Sequence, residues 1–443
     1  MRQFVRRGVR RLAEHKGFRR YFKNTSWILG GQAFRMFIGL VVNIAVARHL
    51  GREDFGTLNF VMAIVAILTP LTSVGLNHIL RKETVEEPEK RDELLGTWYG
   101  ICLVATLAVV SCLLAVLWLL GLPRQSFELY LILSAGLFGQ PLLCVQIWFF
   151  SQVRAQLSVI ATSVTLLILG ATRLVLIYLD AELRWFALCV LLETVLIQSI
   201  CLYTYKKHYA SPLLWRFDWG RARHFLSLSW PLIISGLAMV LFTKIDQVIL
   251  GALVSKAEVG EYAAAARISQ VWTFVPSMLA TSLFTAIINA KNRDETLFWR
   301  RLQSYFDLSA VLGLAIALPI SLFSPLIINI LYGQEFAGAA SILAVQIWGN
   351  LLIFLSTARM QYLVAENLLR FSMVSTGLGA LMNIGLNLLL VPEFEGVGAA
   401  WASIISQGFV VFGTTLAWPP TRRAAMALVL SLFFFLRLHR LKP

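Results

Sequence analysis

The chain has 443 residues, of which 58% are hydrophobic and only 14% charged, and its mean hydropathy is +0.72. About a quarter of the residues of a soluble domain are charged, so this composition excludes an ordinary soluble globular protein. A formal net charge of +15 would suggest nucleic acid in a soluble protein. In a membrane protein, basic residues instead concentrate in the cytoplasmic loops and fix the topology. We therefore expect an all-α polytopic membrane protein that does not bind nucleic acid.

Apolar runs recur along the whole chain. A hydrocarbon core of roughly 30 Å requires about 20 apolar residues in a helix. The sequence accordingly predicts twelve transmembrane helices, at residues 25–47, 57–80, 95–120, 128–150, 157–179, 185–205, 225–253, 261–290, 305–323, 338–357, 371–391 and 397–417. One more apolar run, 424–436, is too short to cross the membrane comfortably, and we place it at the interface.

The distribution of charge predicts the topology. If the spans alternate, most of the 39 Lys and Arg residues fall on the side that holds the N-terminus, which puts both termini in the cytoplasm. The predicted organisation comprises a basic cytoplasmic N-terminal segment (1–23), an N-terminal six-helix bundle (24–205), a basic cytoplasmic linker (206–224), a C-terminal six-helix bundle (225–418) and a basic cytoplasmic or interfacial tail (419–443).

The two predicted bundles repeat each other weakly. When Gly56 is aligned with Gly260, NIAVARHLGREDFGTLNF falls on QVILGALVSKAEVGEYAA. In both stretches a long span ends in a short turn, and a glycine precedes the next helix. Two repeats of six spans keep the same orientation, an arrangement that suggests two bundles with a substrate path between them.

The motifs of common cofactor sites are missing from the sequence. The five cysteines all lie in apolar runs without a CxxC pair, so we interpret them as small buried hydrophobes. There is no HExxH pair and no Walker A motif, and the predicted outside loops are too short to hold a separate active site. We therefore expect neither a metal nor ATP, and a protein that is not an enzyme.

Four stretches carry a resemblance to a known family: LGREDFGTLNF, IDQVILGALVSKAEVGEYAAAARI, LYGQEFAGAA and NIGLNLLLVPEFEGVGAAWASIISQ. Their order and spacing resemble the bacterial polysaccharide-transporter family, the Wzx-type flippases of the multidrug/oligosaccharidyl-lipid/polysaccharide exporter superfamily. The resemblance covers about residues 24–418. It implies two six-helix bundles that form a V-shaped cavity in the bacterial inner membrane and work by alternating access.

The resemblance also implies the cargo and the partners. The cargo would be an undecaprenyl-pyrophosphate-linked oligosaccharide repeat unit, moved from the cytoplasmic to the periplasmic leaflet for O-antigen, capsule or exopolysaccharide assembly. A polymerase and a chain-length regulator of the same pathway would be partners, beside the inner-membrane lipids. Open alternatives are a peptidoglycan-precursor (lipid II) flippase, a multidrug antiporter, a membrane polysaccharide polymerase or ligase, and a non-transporting scaffold.

Basic residues inside apolar runs are the first candidates for function, because charge at membrane depth is costly and is usually retained for a purpose. We expect Arg35, Lys244 and Arg267 to be cavity cations for the phosphates of the cargo. Arg35 could instead snorkel to the cytoplasmic face, and Arg267 could pair with Asp246. Arg359, near a predicted cytoplasmic end, is expected to anchor the topology.

Acidic and polar candidates complete the predicted site. Asp246 and Glu193 are candidates for coupling to protons or sodium ions, or else are paired structural acids. Asn383 and Asn387 are four residues apart and share a helix face, where they could contact sugar hydroxyls or form interhelical hydrogen bonds. Trp348 could stack on a sugar ring or occupy the membrane interface.

Overall fold

The computed structural model describes residues 16–434, with the side chains of residues 16–25 and of Thr285 left aside. Most of the predicted N-terminal segment and the end of the apolar run 424–436 lie outside this range. Within it the chain is helical and contains no strand. The helices are α1 (Lys16–Thr72), α2 (Asn77–Glu86), α3 (Arg91–Leu119), α4 (Arg124–Ala135), α5 (Leu143–Ser151), α6 (Ala155–Tyr178), α7 (Leu183–His208), α8 (Trp219–Leu253), α9 (Lys256–Val271), α10 (Phe274–Lys291), α11 (Glu295–Leu322), α12 (Ser324–Leu331), α13 (Ala339–Gln346), α14 (Trp348–Ala365), α15 (Leu369–Gly408), α16 (Thr414–Ala417) and α17 (Arg422–Leu432).

Ten helical stretches in the described range are long and apolar enough to cross a membrane. Two of them, Ser26–Thr72 and Leu369–Ala417, contain 47 and 49 residues, about twice what one crossing requires. Each holds a residue with non-helical backbone, Gly51 at φ 71° and Glu395 at φ 50°. The predicted polytopic all-α architecture is confirmed. The count of twelve spans stays a prediction, since it requires both long stretches to cross twice.

The predicted span 128–150 is not one continuous helix. It consists of α4 and α5, which are joined by the 3₁₀ segment Gly136–Leu142. Pro141 lies in that segment. The nitrogen of a proline carries no hydrogen and its ring clashes with the preceding turn, so the α-helix is interrupted there.

The chain folds into two compact units. Unit 1 comprises Met1–Val42 and Leu68–Gly236, and unit 2 comprises Asn43–Ile67 and Leu237–Pro443. The division differs from the predicted bundle boundaries in two places. Asn43–Ile67 belongs to unit 2, and the first part of α8 belongs to unit 1 together with the predicted linker 206–224.

A cluster of ion pairs around Arg221 holds the linker and the start of α8 within unit 1. The guanidinium donates hydrogen bonds to Glu93 (2.5 Å), Glu83 (3.0 Å) and Glu87 (3.0 Å). The five donors of an arginine form a rigid fork that suits several carboxylates. Through this fork, α8 is joined to α2 by Glu83, to α3 by Glu93 and to the segment between them by Glu87.

The Arg221 cluster depends on pH through Glu87. Hydrogen bonds from Lys90 and from Arg221 lower the pKa of the Glu87 carboxyl. A carboxylate with a depressed folded-state pKa contributes its stability above the unfolded pKa and loses it as the pH falls through the folded value. The contacts of Glu87 are therefore complete at neutral pH and weaken only in acid, below the ordinary range of a glutamate.

Unit 2 is organised around the alanine-rich helix α9. The helix begins after Ser255, whose hydroxyl accepts a hydrogen bond from the backbone N–H of Glu258 (3.1 Å) and so caps the first turn. Residues 263–266 are all alanines and all buried, so neighbouring helices can approach closely. Phe55 from the 43–67 stretch packs edge-on against Phe336, with ring centroids 6.1 Å apart.

Candidate functional site

Asp246 lies in the second half of α8, and only 3% of its surface is exposed. Its Oδ2 accepts hydrogen bonds from the hydroxyls of Tyr262 on α9 (2.6 Å) and Ser403 on α15 (2.5 Å). Its Oδ1 accepts a hydrogen bond from the Asn387 side-chain amide (2.7 Å). Three helices therefore meet at one buried carboxylate, and all three of these donors are neutral.

Asn383 and Asn387 add acceptor oxygens to this group. Both are 0% exposed. The Nδ2 of Asn387 also donates to the Asn383 carbonyl (2.9 Å), and the Nδ2 of Asn383 lies 3.5 Å from the Ser403 hydroxyl. The Oδ1 atoms of the two asparagines are buried and receive no hydrogen bond from the described residues. A buried acceptor without a donor costs about 1–3 kcal/mol, so an electropositive partner would satisfy these two oxygens.

We call these five side chains the Asp246 cluster: Asp246, Tyr262, Asn383, Asn387 and Ser403. Carboxylate, amide and hydroxyl oxygens are the ligands that hard cations prefer. With a single formal charge the cluster suits a monovalent cation or a proton. Among residues 16–434, no group of three or more His, Cys, Asp or Glu side chains could hold a metal ion.

The structure joins residues that the sequence predicted separately. Asp246 was expected to couple ions or to be structural, whereas Asn383 and Asn387 were candidates for sugar contact. In the structure the two amides are part of the hydrogen-bond network around Asp246. A sugar contact for them stays a prediction. Tyr262 and Ser403 were missed, because an isolated hydroxyl in a helical span carries no distinguishing signal.

The predicted cations Lys244 and Arg267 lie in the same unit as the cluster. Both side chains are half-buried, and the charges of Arg267 and Asp246 both act on Lys244. The hydrogen bonds to Asp246 within its cluster all come from neutral groups, and the ion pair with Arg267 that the sequence suggested stays a prediction. A contact of either cation with cargo stays a prediction.

Arg35 is the third predicted cation and lies on α1 in unit 1. Its side chain is exposed and has no hydrogen-bond partner within the described part of the chain. The structure thus places Arg35 in a different unit from Lys244 and Arg267, and its contact with a phosphate stays a prediction.

Glu193 forms an ion pair. The Nη2 of Arg173 on α6 donates to the Oε2 of Glu193 on α7 at 2.8 Å, with side-chain exposures of 14% and 35%. Of the two interpretations left open for Glu193, this contact corresponds to the paired structural acid. A coupling role for Glu193 stays a prediction.

Replacing Glu193 by Gln is expected to lower the free energy of unfolding by about 1 kcal/mol, because it leaves a largely buried guanidinium without its counter-charge. Thermal unfolding of the purified protein in detergent measures this. The exposed pair Arg124–Glu128, at 93% and 46% exposure, provides the control, and Glu128→Gln should change stability by much less. Loss of transport in Glu193→Gln at unchanged stability would contradict a structural role.

Two further candidates have defined contacts in unit 2. The indole Nε1 of Trp348 donates to the Ser321 hydroxyl (3.3 Å), and sugar stacking by this tryptophan stays a prediction. Arg359 is only 3% exposed; it donates to Ser375 (3.2 Å) and Thr414 (3.4 Å). The helix α14 continues to residue 365 and neighbouring helices cover the Arg359 side chain, and its role as a topological anchor stays a prediction.

Comparison with known families decides the classification of the chain. The family model described as "Polysaccharide biosynthesis protein" matches residues 21–289, more than half of the chain. The chain belongs to the polysaccharide biosynthesis protein family. The predicted family resemblance is thereby confirmed. The chain is also similar to a probable low-salt glycan biosynthesis flippase of Haloferax volcanii, 22% identical over 370 residues, which cover 81% of this chain and 75% of that protein.

Solved structures show which fold this member of the family adopts. A lipid II flippase in an inward closed conformation superposes with a TM-score of 0.72 at 14% identity, covering 92% of this chain and 91% of the other. An inward-facing multidrug transporter of the MATE family gives 0.68 at 14% identity, with 89% and 95% covered. A transporter from Pyrococcus furiosus gives 0.61 at 15% identity, with 92% and 96% covered. The chain is thus a multi-pass membrane protein with the fold that these three transporters share.

Proposed function

We propose that the protein is a flippase for lipid-linked oligosaccharides that works by alternating access. The observation that carries the proposal is the family match over residues 21–289, supported by a relative named as a glycan biosynthesis flippase. The cargo we propose is an undecaprenyl-pyrophosphate-linked repeat unit. It would pass from the cytoplasmic to the periplasmic leaflet of the bacterial inner membrane for O-antigen, capsule or exopolysaccharide assembly, with both termini of the protein in the cytoplasm.

The chemistry of the cargo requires cations at membrane depth. A pyrophosphate headgroup carries negative charge, and moving an ion into hydrocarbon without a partner is prohibitively costly. Arg35, Lys244 and Arg267 are basic residues within long apolar helices. We propose that they contact the phosphates in turn while the lipid tail remains in the bilayer. A polymerase and a chain-length regulator would receive the translocated unit.

We also propose that a cation drives the cycle from the Asp246 cluster. A proton on Asp246 could donate to only one acceptor, whereas both Asn383 and Asn387 have an unpaired Oδ1. A sodium ion could contact both amide oxygens and the carboxylate together. These three groups of oxygen ligands therefore favour sodium over a proton as the coupling ion.

Complementation tests the cargo part of the proposal. In a strain that lacks its polysaccharide flippase, Arg35→Ala and Lys244→Ala should each reduce surface polysaccharide by about tenfold or more, since one lost charged contact of about 1.4 kcal/mol corresponds to a factor of ten. Protein level and membrane insertion should remain normal. Arg124→Ala, which removes a cation that is 93% exposed, is the control and should complement fully.

The same strains separate the proposed function from its alternatives. A flippase for lipid-linked oligosaccharides should leave its substrate in the inner leaflet when it is inactivated. Full complementation by both Arg35→Ala and Lys244→Ala would remove the role of these cations. Rescue of a strain that lacks its lipid II flippase, or a gain of drug resistance without polysaccharide, would favour the corresponding sibling transporter.

A further inference from the structure

The stretch 43–67, which we call the docked segment, is held in unit 2 by directed polar contacts although both of its ends continue into unit 1. The Nη1 of Arg52 donates to the Oε1 of Glu261 on α9 at 3.0 Å. The backbone N–H of Arg52 donates to Glu335 at 3.0 Å. Arg48 donates to the carbonyl of Ile330, in the last turn of α12, at 2.6 Å.

The docked segment and α9 also approach each other through glycines. A Cβ atom on Gly56 would lie 1.7 Å from the carbonyl oxygen of Lys256, and one on Gly260 would lie 2.1 Å from the carbonyl oxygen of Arg52. Such distances mean that backbone rests directly on backbone. Small displacements of the first turns of α9 therefore disrupt this contact.

The first turns of α9 connect the docked segment to the Asp246 cluster. Glu261 binds Arg52, and the next residue, Tyr262, donates to Asp246 at 2.6 Å. A second link exists at the start of the helix, where the Oε1 of Glu258 accepts a hydrogen bond from the backbone N–H of Gly396 (2.9 Å). Gly396 follows the non-helical residue of α15, between the two parts that carry Asn387 and Ser403.

We propose that Tyr262 is a positioning residue that makes the hold on the docked segment depend on a cation at the Asp246 cluster. A cation at Asp246 competes with the Tyr262 hydroxyl for Oδ2. When that hydrogen bond is released, the first turns of α9 can move, and the Arg52–Glu261 contact and the glycine packing weaken together. The inference rests on the cation-binding part of the proposed function, but it concerns the state of the docked segment rather than transport.

A buried reporter on α9 tests the proposal. Val259 is 0% exposed and belongs to the same buried cluster as Phe55 of the docked segment. Val259→Cys is made in a background in which Cys112, the exposed native cysteine, is replaced by Ser. The labelling rate with a hydrophilic maleimide is measured in nanodiscs, in sodium chloride and in choline chloride. If Val259→Cys lowers the protein level, Ala47→Cys, also 0% exposed, replaces it as the reporter.

Sodium chloride is expected to raise the labelling rate at least about fivefold, the lower end of typical coupling between two sites. Arg52→Ala should raise the rate in choline chloride as well, because the docked segment is already loosened. Tyr262→Phe should abolish the response to sodium, while sodium binding, measured as a sodium-dependent shift in melting temperature, persists. Arg223→Ala, which removes an exposed cation of unit 1, is the control and should behave like the parent.

Three results would overturn the proposal: an unchanged rate in Arg52→Ala, a full sodium response in Tyr262→Phe, or no response in the parent although sodium binds. Failure of the proposed function has a different signature. The reporter would then respond to sodium as expected, but the parent would neither complement a flippase-deficient strain nor translocate lipid-linked oligosaccharide.

Discussion

Replacing Asp246 by Asn is expected to reduce cation-driven transport by about 100-fold or more. The carboxylate accepts hydrogen bonds from Tyr262, Ser403 and Asn387 and supplies the only formal negative charge among the five side chains of the cluster. Asparagine keeps the shape but removes the charge and turns one acceptor into a donor. Contacts to a charged group contribute about 1.5–3 kcal/mol each, and two such losses at tenfold per 1.4 kcal/mol give the expected factor.

The stability of Asp246→Asn should separate loss of coupling from loss of folding. A ligand that binds only the folded protein stabilises it in proportion to its concentration over its dissociation constant. Sodium should therefore raise the melting temperature of the parent protein but not of Asp246→Asn. In sodium-free buffer the variant should unfold at a similar or higher temperature, because a buried charge has been removed.

Two controls accompany this experiment. Glu89→Gln removes an exposed carboxylate from the segment between α2 and α3 and should leave transport unchanged. Asp246→Glu retains the charge at the same buried position, and part of the sodium response should survive. Normal, sodium-dependent transport by Asp246→Asn would refute the assignment of the coupling site.

The residues of the cluster show what could be read from the sequence. Asp246 stood out because a carboxylate is rare at membrane depth, and Asn383 and Asn387 stood out because their spacing places them on one helix face. Their meeting could not be predicted, since α8 and α15 are joined by a contact between residues 141 positions apart. Helical periodicity sets the face of one helix but not which helix packs against it.

The contacts of the other candidates have equally specific causes. Arg359 follows an apolar run closely, and its burial could not be predicted because α14 extends past it and α15 supplies Ser375 as a partner. Glu193 and Arg173 are only 20 positions apart on successive helices, so the alternative of a paired acid could be stated in advance. The weak repeat that aligned Gly56 with Gly260 had a meaning the sequence did not reveal, because these two glycines lie on opposite sides of one backbone contact.

That contact leads to the second large effect: Gly56→Ala and Gly260→Ala are each expected to lower stability by about 3 kcal/mol and to abolish transport. The added methyl groups would meet the carbonyl oxygens of Lys256 and Arg52 at 1.7 and 2.1 Å, and backbone cannot yield as a flexible side chain can. Gly385→Ala is the matched control, since its Cβ would meet nothing within 4 Å.

The test is decisive because the same substitution is expected to change stability in opposite directions at the two kinds of position. Alanine is favoured over glycine inside a helix by up to about 1 kcal/mol, so Gly385→Ala should be neutral or slightly stabilising. The same substitution at the contact should be strongly destabilising. Both are measured by thermal unfolding and by complementation of a flippase-deficient strain. Because the clash separates the docked segment from α9, the Val259→Cys reporter should label rapidly in Gly56→Ala with or without sodium. Slow labelling and full complementation by Gly56→Ala would show that the close packing of these two backbones is not required.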